Sequence, residues 1–315
     1  MSAAAQTRSE REPVAEVANI RFYSNELLNL HHTLYAAAWA GRSKVEGRVL
    51  AQELPHPLTA PFTPEERITW DQAVHYYDGQ IADRDPLNGR GMERIKEALV
   101  SGRLDDPAID KELRATLEAA QPVFHKYFWP EQDRVNRAWI AAITELVKAI
   151  APEVIPRLEE TYDSKWFSTP VRADAVWVGH WGQAYTSLNP PHSVISSTDP
   201  VDQSWSGVEM VFHEFSHALN FKLQGKLASS LGDAIRQHGT LWHVTQFYLT
   251  GEVVRDVLAA RRVDYTPLVY SLGLFDNQWA QYRKPIEEAW EPYLQGRYSM
   301  DEAIARTVNA VAPPK

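Results

Sequence analysis

Between Gly207 and Phe221 the chain reads GVEMVFHEFSHALNF, and only Glu209 and Glu214 in that run carry a formal charge. So apolar a stretch is expected to fold as a buried helix, yet it must take two histidines and two carboxylates out of water with it. Ionisable groups are kept in such places where partners or a metal satisfy them. Residues four apart share a helix face, so His213 and His217 project side by side and each can give a nitrogen to one cation. Glu214, one position on, sits beside the pair and within reach of a water bound there. The plainer alternative is a helix whose histidines are satisfied by ordinary hydrogen bonds. The chain has eleven histidines, enough for the spacing to arise by chance, but the apolar flanks favour a metal site.

The rest of the sequence frames that helix. The 315 residues suffice for one large domain or two ordinary ones. The first fifteen are polar and charged and are read as a disordered tail, with a helical region over 16–165 and the metal-binding region over 166–315. NELLNLHHTLYAAAWAG has apolar residues at helical spacing. FTPEERITWDQAVHYY opens with Thr63 as N-cap, Pro64 in the first turn and Glu66 completing a capping box. DPAIDKELRATLEAA, PEQDRVNRAWIAAITELVKAI and PEVIPRLEETY are read as three further helices. From 166 the chain turns to Val, Trp, Tyr, Thr and Ser broken by Gly and Asn-Pro-Pro, which predicts two or three short strands. The fold class expected is mainly α with a small β-sheet, α+β.

Composition excludes several functions. The net charge is −9 with no dense Lys/Arg block, so nucleic acid is not an expected partner. No run approaches the ~18 apolar residues of a membrane span, and the N-terminus lacks a signal-peptide core, so the chain as written is expected to be cytoplasmic, with a removed export signal as the alternative. With no cysteine, thiolate ligands and thiol nucleophiles are out.

The segment HEFSHAL resembles the active helix of the zincin metallopeptidases. The resemblance implies a zincin-like catalytic domain with one Zn²⁺ per chain, held by His213 and His217, and Glu214 as general base. It also implies an upstream edge strand that pairs with an extended peptide, and GQAYTSLNPPHSVISS lies where such a strand belongs. The close match is confined to the motif and its helix, so it speaks to class and mechanism and not to substrate.

A catalytic zinc site usually has three protein ligands and one open position. The residues after His217, ALNFKLQGKLASS, hold no His or acid, so the short metzincin spacing is absent; LGDAIRQHGTLWH offers only Asp233 where thermolysin-like enzymes carry a Glu. A distant ligand, as in gluzincins, leaves His243, Glu252 or His238. If Thr240 caps the next helix, His243 falls in its first turn on the face of Phe247, Gly251 and Val254. Glu252 has a gap resembling that of clostridial neurotoxins, but lies about 180° from His243 on a regular helix. His238 sits in HGTLW, which resembles the third-ligand segment of SprT-like proteases. Facing and spacing rank His243 first.

An oxyanion donor is expected among Tyr248, Tyr265 and Tyr270, with Tyr270 preferred from the gluzincin resemblance; each is otherwise a core tyrosine. His192 lines the cleft or, more plainly, sits in a turn or at a strand edge. His31 and His32 are about 100° apart and cannot chelate together; they, His56, His75, His125 and His180 are read as structural. The function expected is a zinc-dependent hydrolase acting on a peptide or small amide. The alternatives are a zinc-binding protein without turnover and a helical protein whose motif is accidental.

Overall fold

A computed structural model describes residues 12–42, 60–85, 91–179 and 184–312. Most of the expected N-terminal tail, His56 and His180 lie outside the described residues. Helices dominate, with one five-stranded mixed sheet, so the α+β expectation is met at that level. The chain divides into two compact units, 1–145 with 169–203 and 146–168 with 204–315.

The first unit contains the sheet. Strands β1 (Ala15–Val17) and β2 (Ile20–Ser24) form a hairpin at the start of the region expected to be helical. Ala18 and Asn19 between them both have positive φ, 54° and 60°, as a tight hairpin turn of the primed type requires. β3 (Val171–Val176) pairs parallel with β2 on one side and with β5 (Pro191–Ser196) on the other, and β4 (Ala184–Leu188) pairs antiparallel with β5. Of the segment expected to supply an edge strand, the order β1-β2-β3-β5-β4 places β4 at an edge of this sheet and β5 inside it. The β2–β3 ladder also explains why the division differs from a single break near 165. Strands from residues 171–196 are hydrogen-bonded to the chain's beginning, and so belong with it rather than with the histidine motif.

Around the sheet lie α1 (Glu26–Arg42), α2 (Pro64–Gln80), α3 (Met92–Val100), α4 (Lys111–Tyr127) and the first half of α5 (Trp129–Tyr162). The capping box at Thr63 forms as expected: Glu66 N–H donates to Thr63 Oγ1 (3.2 Å) and Thr63 N–H to Glu66 Oε2 (2.9 Å). α4 starts later than expected because Asp110 is its N-cap, accepting from Glu112 and Leu113 N–H. Its core packs Leu30, Leu34, Trp70, Tyr77, Leu117 and Phe124. The two helices expected at 130–150 and 152–162 are one helix. Pro152 and Pro156 lie inside it, and burial of Ile150, Val154, Leu158 and Tyr162 outweighs the hydrogen bonds the prolines forgo.

The second unit comprises the end of α5, α6 (Ser204–Ser216), α7 (Phe221–Leu231), the short α8 (Ile235–His238), α9 (Leu241–Ala260), α10 (Leu268–Ser271), α11 (Ala280–Leu294) and α12 (Met300–Val311). α6 is buried along its whole length from Gly207 to Ser216. Phe212 and Phe215 pack on Trp166, with ring centroids 6.0 and 6.4 Å apart.

Candidate metal centre

The apolar run folds as expected into a buried helix, with one difference in detail. α6 ends at Ser216, and His217 opens the turn that follows, its N–H on the Glu214 carbonyl (3.3 Å). The turn closes with Leu219 and Asn220 N–H groups both on Ser216 O, so His217 keeps nearly the direction a further helical residue would have.

α9 delivers the third imidazole. Gln246 Nε2 donates to the His213 carbonyl (2.8 Å), Asn220 Nδ2 bonds Gln246 Oε1, and Thr250 Oγ1 reaches Ser216 Oγ (3.3 Å). Tyr162, at the end of α5, shares a 2.7 Å hydrogen bond with Thr250. These bonds fix the register of α9 against α6, and in that register His243 meets the motif. Gln246, one turn on from His243, was not singled out from sequence; its place on the same helix face was the only available signal.

The three rings form a nearly equilateral triangle, with centroid separations of 5.1 Å (His213–His217), 5.3 Å (His213–His243) and 5.2 Å (His217–His243). One ligand nitrogen from each lies within 4.8 Å of the others, and His213 Nε2 is 3.3 Å from His243 Nε2. Two nitrogens at the usual Zn–N distance of about 2.0–2.1 Å and a tetrahedral angle are about 3.3 Å apart, the spacing of the His213 and His243 pair. Phe247 stacks on His213 at 3.8 Å, and Trp242 and Trp279 stand 5.0 and 5.8 Å from His243.

Burial holds all three imidazoles neutral. It lowers His213 well below the ordinary histidine range, His217 to about 3 and His243 to about 4, and for His213 and His217 mutual repulsion within the cluster adds to the effect. Neutral rings keep the lone pairs that a cation needs. His213 Nδ1 is buried without a hydrogen-bond partner. That atom is on the far side of the ring from Nε2, which is the nitrogen facing His243. Lone pairs that face each other so repel unless a proton or cation lies between them, and the three rings could hold one divalent ion there.

The other candidates are placed elsewhere. Among the described residues this triad is the one group of three or more His, Cys, Asp or Glu side chains arranged to hold a metal, and Glu252 and His238 are not in it. Glu252 pairs with Arg255, leaves Oε1 buried without a partner, and is pushed up to about 7 by burial and the nearby acids Asp256, Glu291 and Glu287. His238 Nδ1 meets Tyr282 OH at 3.0 Å. Glu214 is buried beside His213 on α6. Tyr270 donates to Glu287 Oε1 (3.1 Å), Tyr265 to Glu209 Oε2 (2.6 Å), and Tyr248 is a core residue against Phe275. The hydroxyls of Tyr270 and Tyr265 are therefore engaged by carboxylates.

His192 is neither in a turn nor at a sheet edge. It lies on β5, inside the sheet, with Nε2 on Asp174 (2.8 Å) and Nδ1 on Glu97 (2.7 Å). His31 and His32 each meet a tyrosine hydroxyl, of Tyr77 and Tyr185; His125 meets Glu26, and His75 is exposed on α2. Comparison of the chain with protein-family models, with curated proteins and with solved structures finds no match in any of the three.

Proposed function

We propose that the chain is a zinc-dependent hydrolase of the zincin type, with a peptide or small amide as substrate. The observation that carries the proposal is the convergence of His213, His217 and His243, from two helical segments, within 4.8 Å. These three residues would hold the ion, and three imidazoles suit zinc. When bound, zinc supplies Lewis-acid polarisation of the carbonyl and eases ionisation of water at neutral pH.

The chain's own residues do the rest. Glu214, adjacent in sequence to the first ligand, takes the proton of the attacking water on its carboxylate and returns it to the leaving nitrogen. Phe247, against the ring, holds the first imidazole in orientation, and Gln246, on the His213 backbone carbonyl, holds α9 against α6. Tyr270 is the proposed oxyanion donor, and in that role its hydroxyl must turn from Glu287.

A second reading, a metal-binding protein without turnover, draws support from that same Tyr270–Glu287 hydrogen bond. Glu214→Gln separates the two. The hydrolase reading expects the variant to keep its metal and lose at least about 10²-fold in turnover on a peptide substrate. A Gln variant as active as the parent would refute the role of Glu214. Absence of turnover in the metal-loaded parent, over a broad peptide and amide panel, would favour the second reading.

A further inference from the structure

A cavity of about 190 Å³ opens in the second unit where the end of α5, the last turns of α9 and the end of α11 meet. No histidine lines it, and its chemistry is of another kind. Arg157, Glu160 and Thr161 come from α5, three and four residues apart and so on one face of that helix. Val253 and Asp256 come in the same way from one face of α9, and Tyr293 and Tyr298 stand at the end of α11 and just beyond it. Tyr293 OH donates to the Thr161 carbonyl (2.7 Å), which fixes α11 on α5 and gives the cavity a firm wall.

The charges of the lining select the occupant. Arg157 and Asp256 stand 3.5 Å apart, beyond the usual hydrogen-bond range, so each keeps bonding capacity for a third group. Among the described residues, the carboxylate of Glu160 and the hydroxyl of Tyr298 have no side-chain partner. One guanidinium therefore faces two carboxylates. A simple anion would meet the two acids and a simple cation would meet Arg157, each giving up hydration for a repulsion. A molecule that carries both charges a few bonds apart finds a partner for each. The volume lies below the roughly 300–1,000 Å³ of sites for drug-sized ligands, and Val253 and Leu294 supply apolar surface.

We propose that this cavity binds a free α-amino acid with an apolar side chain, its carboxylate on Arg157 and Tyr298 OH and its ammonium group on Glu160 and Asp256. The site is separate from the three-histidine centre and does not depend on the hydrolase reading.

The test is calorimetric titration of the full chain with three probes: leucine, leucinamide, which lacks the carboxylate, and N-acetylleucine, which lacks the ammonium group. Leucine is expected to bind about 10-fold or more tightly than either of the others. Arg157→Gln should abolish the preference over leucinamide, and Glu160→Gln should reduce the preference over N-acetylleucine. Both side chains are exposed at the rim, so both variants should fold, and the three probes on the parent decide the matter if one does not. Amino acids also chelate zinc, so the titrations are run on the metal-free chain as well, where leucine should bind as it does with zinc present. No leucine binding at about 10 mM, equal binding of the three probes, preferences that survive in both variants, or binding that is lost without zinc would each overturn the site. None of these results bears on the hydrolase reading, which Glu214→Gln tests separately.

Discussion

Gly251 lies in the middle of α9, where glycine costs a helix about 1 kcal/mol relative to alanine, and the neighbouring segments explain why it is there. A Cβ at this position would stand 2.8 Å from Pro267 Cβ and 2.9 Å from Glu209 Oε1. Gly251→Ala is therefore expected to destabilise by about 1–3 kcal/mol in urea unfolding, and a stabilised variant would contradict the close approach. Glu209 is fully buried, accepting from Tyr265 OH and from Leu268 N–H at 3.1 Å. Burial pushes its carboxyl up to about 8, against the pull of those two donors. The folded chain thus keeps this proton to about pH 8, whereas the unfolded chain releases it near its ordinary value of 4.5. Between those limits the folded state binds more protons, so this group's contribution to stability falls as pH rises. Glu209→Gln should unfold with a flatter pH dependence between 5 and 8 than the parent, measured as urea midpoints. Glu252, pushed up to about 7, has the same sign in both proteins, and identical slopes would contradict the assignment to Glu209.

At the scale of elements, Asn29 joins three of them with one side chain. Its Nδ2 donates to Asn25 O and Ala175 O, and its Oδ1 accepts from Trp177 N–H and Asn136 Nδ2, which ties α1 to α5 and to the end of β3. Asn29→Ala would orphan several buried groups together and is expected to cost about 2–4 kcal/mol by denaturant titration; a loss under about 0.5 kcal/mol would mean that other groups already satisfy the network. Local elements were legible in the sequence where local chemistry decides them, as with the capping box at Thr63 and the apolar run of α6. The strands β1 and β2 were not, because three- and five-residue strands leave little periodicity and the parallel partner of β2 lies about 150 residues away. The continuity of α5 through Pro152 and Pro156 was likewise hidden, since proline is a local stop signal and the burial that overrides it is tertiary. At the site, the spacing of His213 and His217 was readable from helix geometry alone. Facing and spacing also ranked His243 above Glu252 and His238; what they left open was the register of α9 against α6, which Gln246, Asn220 and Thr250 set through long-range contacts.

For the whole molecule, the two units divide the buried polar groups between them. The first holds the Asp174–His192–Glu97 network within the sheet region and the second holds the histidine triad. Among the described residues no helix is long and apolar enough to cross a membrane. Because an ion that binds only the folded state stabilises it by mass action, about 2.7 kcal/mol at a hundred times its dissociation constant, zinc should raise the thermal midpoint. Hydrogen exchange should then slow first in 204–217 and 241–250 and least in the strands at 171–196; uniform or strand-centred protection would place the ion elsewhere. Whether three histidines hold one ion is read from elemental analysis of protein purified without chelator or affinity metal, with His243→Ala, Glu252→Ala and His238→Ala alongside. About one zinc per chain is expected in the parent and in the last two variants, and loss of most of it in His243→Ala. A metal-free parent that stays so after zinc is offered, or a His243→Ala variant that retains stoichiometric zinc, would contradict the three-histidine centre.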